Sequence, residues 1–248
     1  MKPAGRITVD AGGETLWLLP GRAAFWPRTA TLLVADAHLG KAAAFRRAGI
    51  PVPRGTTDEN LARLSALVHA CAASRLVFLG DLVHDAAARR AASAAFVRWR
   101  EEHRDLEIVL VRGNHDRRAG DPAAAWNVLS VCEPLVESGL ALCHAPRNVP
   151  GSYAISGHVH PGIRLSGRGR DSIRLPCFWF TRAYAVLPAF GAFTGLADIR
   201  PSPADGVFVE IGEGHLAVVQ AAASCLRQRV NRRGWFIPRT ATGISPRR

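Results

Sequence analysis

The sequence predicts an α/β sandwich. Three observations lead there. Short apolar runs alternate with helix-length amphipathic segments from residue 31 to about residue 160. From residue 172 onward the segments are strand-like, with no helical pattern between them. The composition is that of an ordinary globular chain: 48% hydrophobic and 21% charged over 248 residues. Strands separated by helices, followed by a run of strands, build stacked layers around a common core.

Taken in order, Thr31–Ala35 is a buried strand. Thr56–Glu59 has the form of a capping box, and Leu61, Leu64, Leu67, Val68 and Cys71 follow at helical spacing. Leu76–Leu79 is a second buried strand. Ala86–His103 is a helix with Asp85 as a candidate cap. Ile108–Val111, Leu140–Cys143 and Tyr153–Ser156 are further strands. Ile173–Phe180, Ala183–Leu187, Val207–Ile211 and Leu216–Val219 complete the second half. Residues 1–226 form a single domain on this reading, and 227–248 a basic tail without periodicity.

The net charge is +12 and unevenly spread. Residues 1–160 hold 19 basic and 15 acidic side chains; residues 161–248 hold 13 and 5. Residues 225–248 carry seven arginines, the pair Trp235-Phe236 and no acid. Only Lys2 and Lys41 are lysines, so compositional bias explains arginine over lysine but not the loss of acids. A polyanionic partner follows, DNA foremost. Five scattered cysteines with no CxxC argue against a disulfide scaffold and for a reducing, cytoplasmic setting. The best apolar stretch, residues 175–197, is broken by Arg182, two prolines and two glycines, and no membrane association is expected.

The chemistry lies at the strand ends. Asp36-Ala37-His38, Gly80-Asp81, Arg112-Gly113-Asn114-His115-Asp116, His144 and Gly157-His158-Val159-His160 each come directly after a strand. Strand ends of an α/β sheet share a rim, so these residues can converge from more than a hundred positions apart. Imidazole, carboxylate and amide oxygen together suit two divalent ions, Mn first, with Fe or Zn as alternatives. In an extended strand end, Asp36/His38 and His158/His160 each place both side chains on one side. Gly80, Gly113 and Gly157 let the backbone turn sharply beside a ligand.

In this order the motifs resemble those of the calcineurin-like metallophosphoesterases, over residues 30–162. The stretch His38-Leu39-Gly40-Lys41, with Arg46, Arg47, Gly49 and Pro51-Val52-Pro53-Arg54-Gly55, is similar to the bacterial DNA ligase-associated metallophosphoesterases, the ligase-associated DNA damage response endonucleases. Gly80-Asp81-Leu82-Val83-His84 and Cys143-His144-Ala145-Pro146 fit that subgroup too. Ala37 stands where the subgroup has Leu, at a position that is not a ligand. The resemblance implies a four-layer αββα sandwich and a two-metal phosphodiesterase, a DNA endonuclease of repair associated with a ligase and helicase. It implies that Asp36, His38 and His160 hold one metal, that Asn114, His144 and His158 hold the other, and that Asp81 bridges them. His115 would face the substrate, with Asp116 orienting and charging it.

Other residues keep two readings. Lys41, Arg46, Arg47 and Arg54 could guide a phosphate backbone or form a solvated face; Arg164, Arg168, Arg170 and Arg174 are placed to bind phosphate near the rim. His84 and Asp85 could touch substrate or support a ligand. His69, His103 and His215 are structural, and Phe178-Trp179-Phe180, Trp17 and Trp26 belong to packing. Two competing functions stay open: a phosphatase or small-molecule phosphodiesterase, and a non-enzymatic scaffold on the same fold.

Overall fold

A computed structural model of the chain describes residues 3–167, 171–212 and 214–220. The first sheet opens with three strands that the sequence pattern does not announce: β1 (Ile7–Ala11), β2 (Glu14–Leu19) and β3 (Ala23–Trp26). Then come β4 (Thr31–Val34), helix α1 (Lys41–Arg47), α2 (Thr56–Cys71), β5 (Arg75–Phe78), α3 (Ala86–Glu102), β6 (Glu107–Val111), α4 (Asn114–Ala119) and β7 (Leu129–Val131). These seven strands lie in sequence order, antiparallel from β1 to β4 and parallel from β4 to β7.

The second sheet holds β8 (Leu135–Glu137), β9 (Leu140–Leu142), β10 (Tyr153–Ser156), β11 (Pro161–Ser166), β12 (Ser172–Phe180), β13 (Tyr184–Val186), β14 (Ala197–Asp198), β15 (Gly206–Glu210) and β16 (Leu216–Gln220). Its main path is β14-β11-β12-β13-β10-β9-β8, with β15 on β12 and β16 on β15. Strands β9, β10 and β13 run parallel.

The burial pattern explains why β4, β5 and β6 read as unbroken apolar runs. Leu32 and Val34 face one core, where Leu61, Leu64, Phe96 and Trp99 of α2 and α3 pack. Leu33 faces the other, against Ile155, Phe178, Phe180 and Phe208 of the second sheet. A strand buried on both faces has no polar side to alternate with. Helices, first sheet and second sheet thus form three layers. The described helices α2 and α3 pack on one face of the first sheet and the second sheet packs on its other face, the stacking expected of the sandwich.

Two local expectations change. Helix α2 begins at Thr56 with Gly55 as its cap at φ +89°, and no side chain caps it; the Thr56 hydroxyl instead donates to the Pro53 carbonyl, so the capping box is absent. The Asp85 cap does form, with its carboxylate accepting from the Ala88 N–H at 2.5 Å. Trp26 is fully buried, while Trp17 is half-buried beneath the Arg6 guanidinium. Phe178 and Phe180 are core, and Trp179 donates to Asp205. No helix of the described residues is long and apolar enough to cross a membrane. The tail 227–248, Arg168 and Arg170 lie outside the described residues.

Candidate metal centre

Strands β4, β5, β6, β9 and β10 deliver their C-terminal ends to one rim between the two sheets. The loops beyond them are tied together before any ligand is considered. The His38 N–H donates to the Asp81 carbonyl at 2.9 Å and the Leu39 N–H to Leu82 at 2.8 Å. Across the sheets, the His158 N–H donates to Asp36 Oδ2 at 2.8 Å.

Three clusters of donor atoms result among the described residues: His38, His84 and His115 lie together, and two further sets hold the expected ligands. Asp36, His38 and His160 form one: His38 Nε2 and His160 Nε2 are 3.3 Å apart, and His160 Nε2 is 3.6 Å from Asp36 Oδ1. Asn114, His144 and His158 form the other. His144 Nε2 lies 2.9 Å from Asn114 Oδ1 and 3.0 Å from His158 Nδ1. Asp81 spans them: Oδ1 is 3.5 Å from His144 Nε2, and Oδ2 is 3.9 Å from His38 Nε2. All seven residues expected as ligands are therefore brought together.

The chemistry of these sets fits divalent cations. His144 Nδ1 is 3.1 Å from the Leu79 carbonyl, which can only accept, so its proton sits there and the Nε2 lone pair faces Asp81, Asn114 and His158. Lone pairs crowded at that distance repel unless a cation lies between them. Asp36 Oδ1 is buried and has no hydrogen-bond partner, a costly state for a carboxylate oxygen that a cation would relieve. Burial, reinforced by Lys41 and neighbouring imidazoles, pushes His38 down to about 2; burial and then His144 lower His158. Both are neutral imidazoles at neutral pH, the form that binds metal.

The backbone records the same demand. Of eleven non-glycine residues with positive φ among those described, five are candidate ligands: Asp36, His38, Asp81, His158 and His160. This corrects the expectation of extended strand ends. The paired side chains converge because the chain has turned left-handed, a conformation sparsely used by non-glycine residues and concentrated at functional sites. The glycines also act differently from expectation. Gly80 has φ +78°, but Gly113 and Gly157 do not lie in the left-handed region; they are small because the ligands press against them. A Cβ on Gly113 would lie 2.2 Å from Asp81 Oδ1, and one on Gly157 2.5 Å from Asp36 Oδ2. Gly113→Ala should therefore displace Asp81, lowering turnover about 10²-fold, the usual consequence of a 1 Å misplacement. It should also cost about 1–3 kcal/mol of stability through overpacking. Steady-state kinetics and thermal unfolding of the variant check both.

Asp116 is corrected outright. Its carboxylate is turned to backbone N–H groups and makes no hydrogen bond or ion pair with the His115 ring among the described residues. Its buried carboxylate accepts from the N–H groups of Asp81, Leu82 and Gly113 at 2.7, 3.0 and 2.9 Å. It is a positioning residue, holding the Asp81 loop onto the start of α4. The group on His115 is the backbone carbonyl of His84, 2.6 Å from His115 Nδ1. The His84 ring also stacks on His115, with centroids 4.9 Å apart. Two further partners are invisible in the sequence. The Leu79 carbonyl holds the His144 ring, and Glu133 accepts from the His144 N–H at 2.7 Å. A backbone carbonyl has no sequence signature, and Glu133 stands in no motif.

The basic candidates divide. Lys41, at the start of α1, is half-buried; burial lowers its pKa while Asp36 and Asp81 raise it. Arg46 donates to the Pro53 carbonyl and Arg54 is exposed. Arg164 lies across from Arg174 on β11 and β12; Arg174 pairs with Asp198 at 2.5 Å, and the exposed Arg164 reaches the same carboxylate at 3.9 Å.

Comparison with known proteins places the chain in a family. Residues 30–144 match the calcineurin-like phosphoesterase family model. The chain is also similar to the crystal structure of Pseudomonas putida nuclease MPE, at 41% identity over 82% of this chain and 96% of that one, with a TM-score of 0.74. No curated protein sequence is similar enough to count as a match. A seven-residue cluster of metal-binding character on this two-sheet frame, with those likenesses, leads to one assignment: the chain belongs to the calcineurin-like phosphoesterases and is a metal-dependent phosphoesterase.

Proposed function

We propose that the protein is a dinuclear-metal phosphodiesterase that cleaves DNA. The observation that carries this reading is Asp81, whose two carboxylate oxygens address separate ligand sets. One ion would be held by Asp36, His38, His160 and Asp81, the other by Asn114, His144, His158 and Asp81, with Mn the preferred metal and Fe or Zn compatible with the same donors. A bound pair of such ions supplies Lewis-acid activation of a phosphate ester and of water near neutral pH.

The chain's own residues do the rest. Because the His84 carbonyl accepts from His115 Nδ1, the mobile proton of His115 is at Nε2. That nitrogen is 4.0 Å from Asp81 Oδ2, beside the ligands but partly exposed. As an imidazolium it can donate to a phosphoryl oxygen as charge develops, or protonate the departing alkoxide. The stacked His84 ring restricts how His115 can turn. DNA as the substrate is supported by the likeness to the Pseudomonas putida protein, which is named a nuclease, and by the +12 charge. A role in repair beside a ligase and helicase, in the cytoplasm, rests on the motif resemblance of residues 36–55.

The deciding experiment is turnover with Mn on nicked, single-stranded and duplex DNA, beside bis(p-nitrophenyl) phosphate and p-nitrophenyl phosphate. DNA and the diester should be cleaved and the monoester poorly. Preference for the monoester would overturn the reading.

The tail belongs to the same proposal: 1–226 as the catalytic domain, 227–248 as a basic extension. Its seven arginines should contact phosphates, and each contact removed should flatten the log–log salt dependence of DNA binding by about 0.7–0.9. Truncation at residue 226, compared with the full chain by fluorescence anisotropy over a salt series, tests this. An unchanged slope would exclude the tail from DNA binding.

A further inference from the structure

The arginines around the metal centre are not equivalent. On the β11–β12 side, Arg164 and Arg174 share Asp198. On the α3–α4 side the acids are already committed. Asp85 caps α3 and pairs with Arg47 at 3.3 Å. Asp121 is held by Arg112 through two bonds at 2.6 and 2.8 Å. Asp116 is buried beneath, on four backbone N–H groups. That leaves Arg90, Arg117 and Arg118 exposed and, among the described residues, without a carboxylate partner.

Their placement is fixed by elements that also carry the site. Asn114 and His115 open α4, and Arg118 follows them at i+4 and i+3, on the same helical face one turn along. Arg117 donates to the Arg112 carbonyl, which anchors its reach to the β6 end. Arg89 of α3 donates to the Asp121 carbonyl just past α4, so α3 and α4 are tied side by side. Between α3 and the loop that follows α4 lies a cleft of about 360 Å³ lined by Arg89, Arg90, Ser93, Asp121 and Ala123. The six residues of α4 extend about 9 Å at 1.5 Å per residue. In duplex DNA each strand advances about 3.4 Å per nucleotide along the helix axis, so the length of α4 matches two to three nucleotides of a duplex and fewer of an extended single strand.

We propose that Arg90, Arg117 and Arg118 form the track that holds the phosphate backbone of the DNA strand next to the scissile bond, leading away from His115 over α4 toward α3. The proposal rests on the DNA reading above and adds a direction to it. A free guanidinium binds phosphate through two parallel N–H groups and has no ion pair to give up first. The β11–β12 side would have to break the Asp198 pairs to do the same.

The test uses the full chain with Mn. kcat/KM is measured for a fluorescent single-stranded oligonucleotide and for bis(p-nitrophenyl) phosphate, over a series of salt concentrations. The variants are Arg90→Gln, the triple Arg90→Gln/Arg117→Gln/Arg118→Gln, and Arg98→Gln, which sits farther along α3 paired with Asp58. Glutamine keeps helix propensity close to that of arginine. The ratio of DNA to small-diester kcat/KM corrects for any disturbance of the metal centre. The triple variant should lower that ratio at least tenfold and flatten the DNA salt slope by about 2, from three lost contacts at about 0.7 each. Arg90→Gln should give about a third of the change in slope, and Arg98→Gln none. A triple variant with the parental ratio and slope overturns the track. Equal loss in Arg98→Gln would reduce it to net charge and also overturn it. Failure of the unmodified chain to cleave DNA would instead sink the DNA reading itself.

Discussion

Replacing Asp81 by Asn should lower diester turnover by about 10³-fold or more and leave at most one divalent ion tightly bound per chain. The side chain keeps its shape. Asn Oδ1 can still accept the His115 N–H that Asp81 Oδ1 accepts at 3.0 Å, so the start of α4 should stay in place. What is lost is the negative charge shared by the two ligand sets, which Asp81 approaches at 3.5 Å through one oxygen and 3.9 Å through the other. Losing a metal's transition-state stabilisation removes several kcal/mol, and about 4 kcal/mol is three orders of magnitude in rate. Metal analysis after gel filtration, with kinetics on bis(p-nitrophenyl) phosphate, reads both effects. Near-parental turnover would show that Asp81 is not the bridge.

His115 and His144 are both imidazoles beside Asp81, and the structure assigns them opposite fates on substitution. His144 is buried, with Nδ1 held by the Leu79 carbonyl and Nε2 turned inward to Asn114 and His158. His144→Gln should lose the second ion and most of the activity with it. His115 is partly exposed and held through its Nδ1 by the His84 carbonyl, leaving Nε2 at the mouth of the site. His115→Gln should keep both ions and lower kcat by about 10²–10⁴, the span of a lost general acid. Metal content separates the two variants. Loss of metal from His115→Gln with retention in His144→Gln would reverse the roles.

The candidate ligands are legible in the sequence because each comes soon after a buried apolar run. A doubly buried strand is the plainest signal a chain carries, and the rim rule then gathers its successors. The role of Asp116 is not legible. Its partners are backbone N–H groups of Asp81 and Leu82, more than thirty residues away, and such contacts leave no spacing pattern. The same holds for the His84 and Leu79 carbonyls. Gly113 and Gly157 suggest turns in the sequence but serve as clearance, since crowding by a side chain from another loop cannot be read locally, whereas a turn can. The β1–β3 meander escapes the pattern because Glu14, Trp17 and Trp26 blur its alternation, though Val9, Leu16 and Leu18 sit fully in the inter-sheet core.

A metal titration of turnover tests the two-ion centre most directly. The full chain, stripped with chelator and dialysed free of it, is titrated with Mn at protein concentrations well above the dissociation constants, while hydrolysis of bis(p-nitrophenyl) phosphate is followed. Activity should be absent without metal and should rise until two equivalents are bound, with the break at two per chain. A break at one equivalent, or turnover that survives the chelator, would contradict the two-metal assignment of Asp36, His38, Asp81, Asn114, His144, His158 and His160.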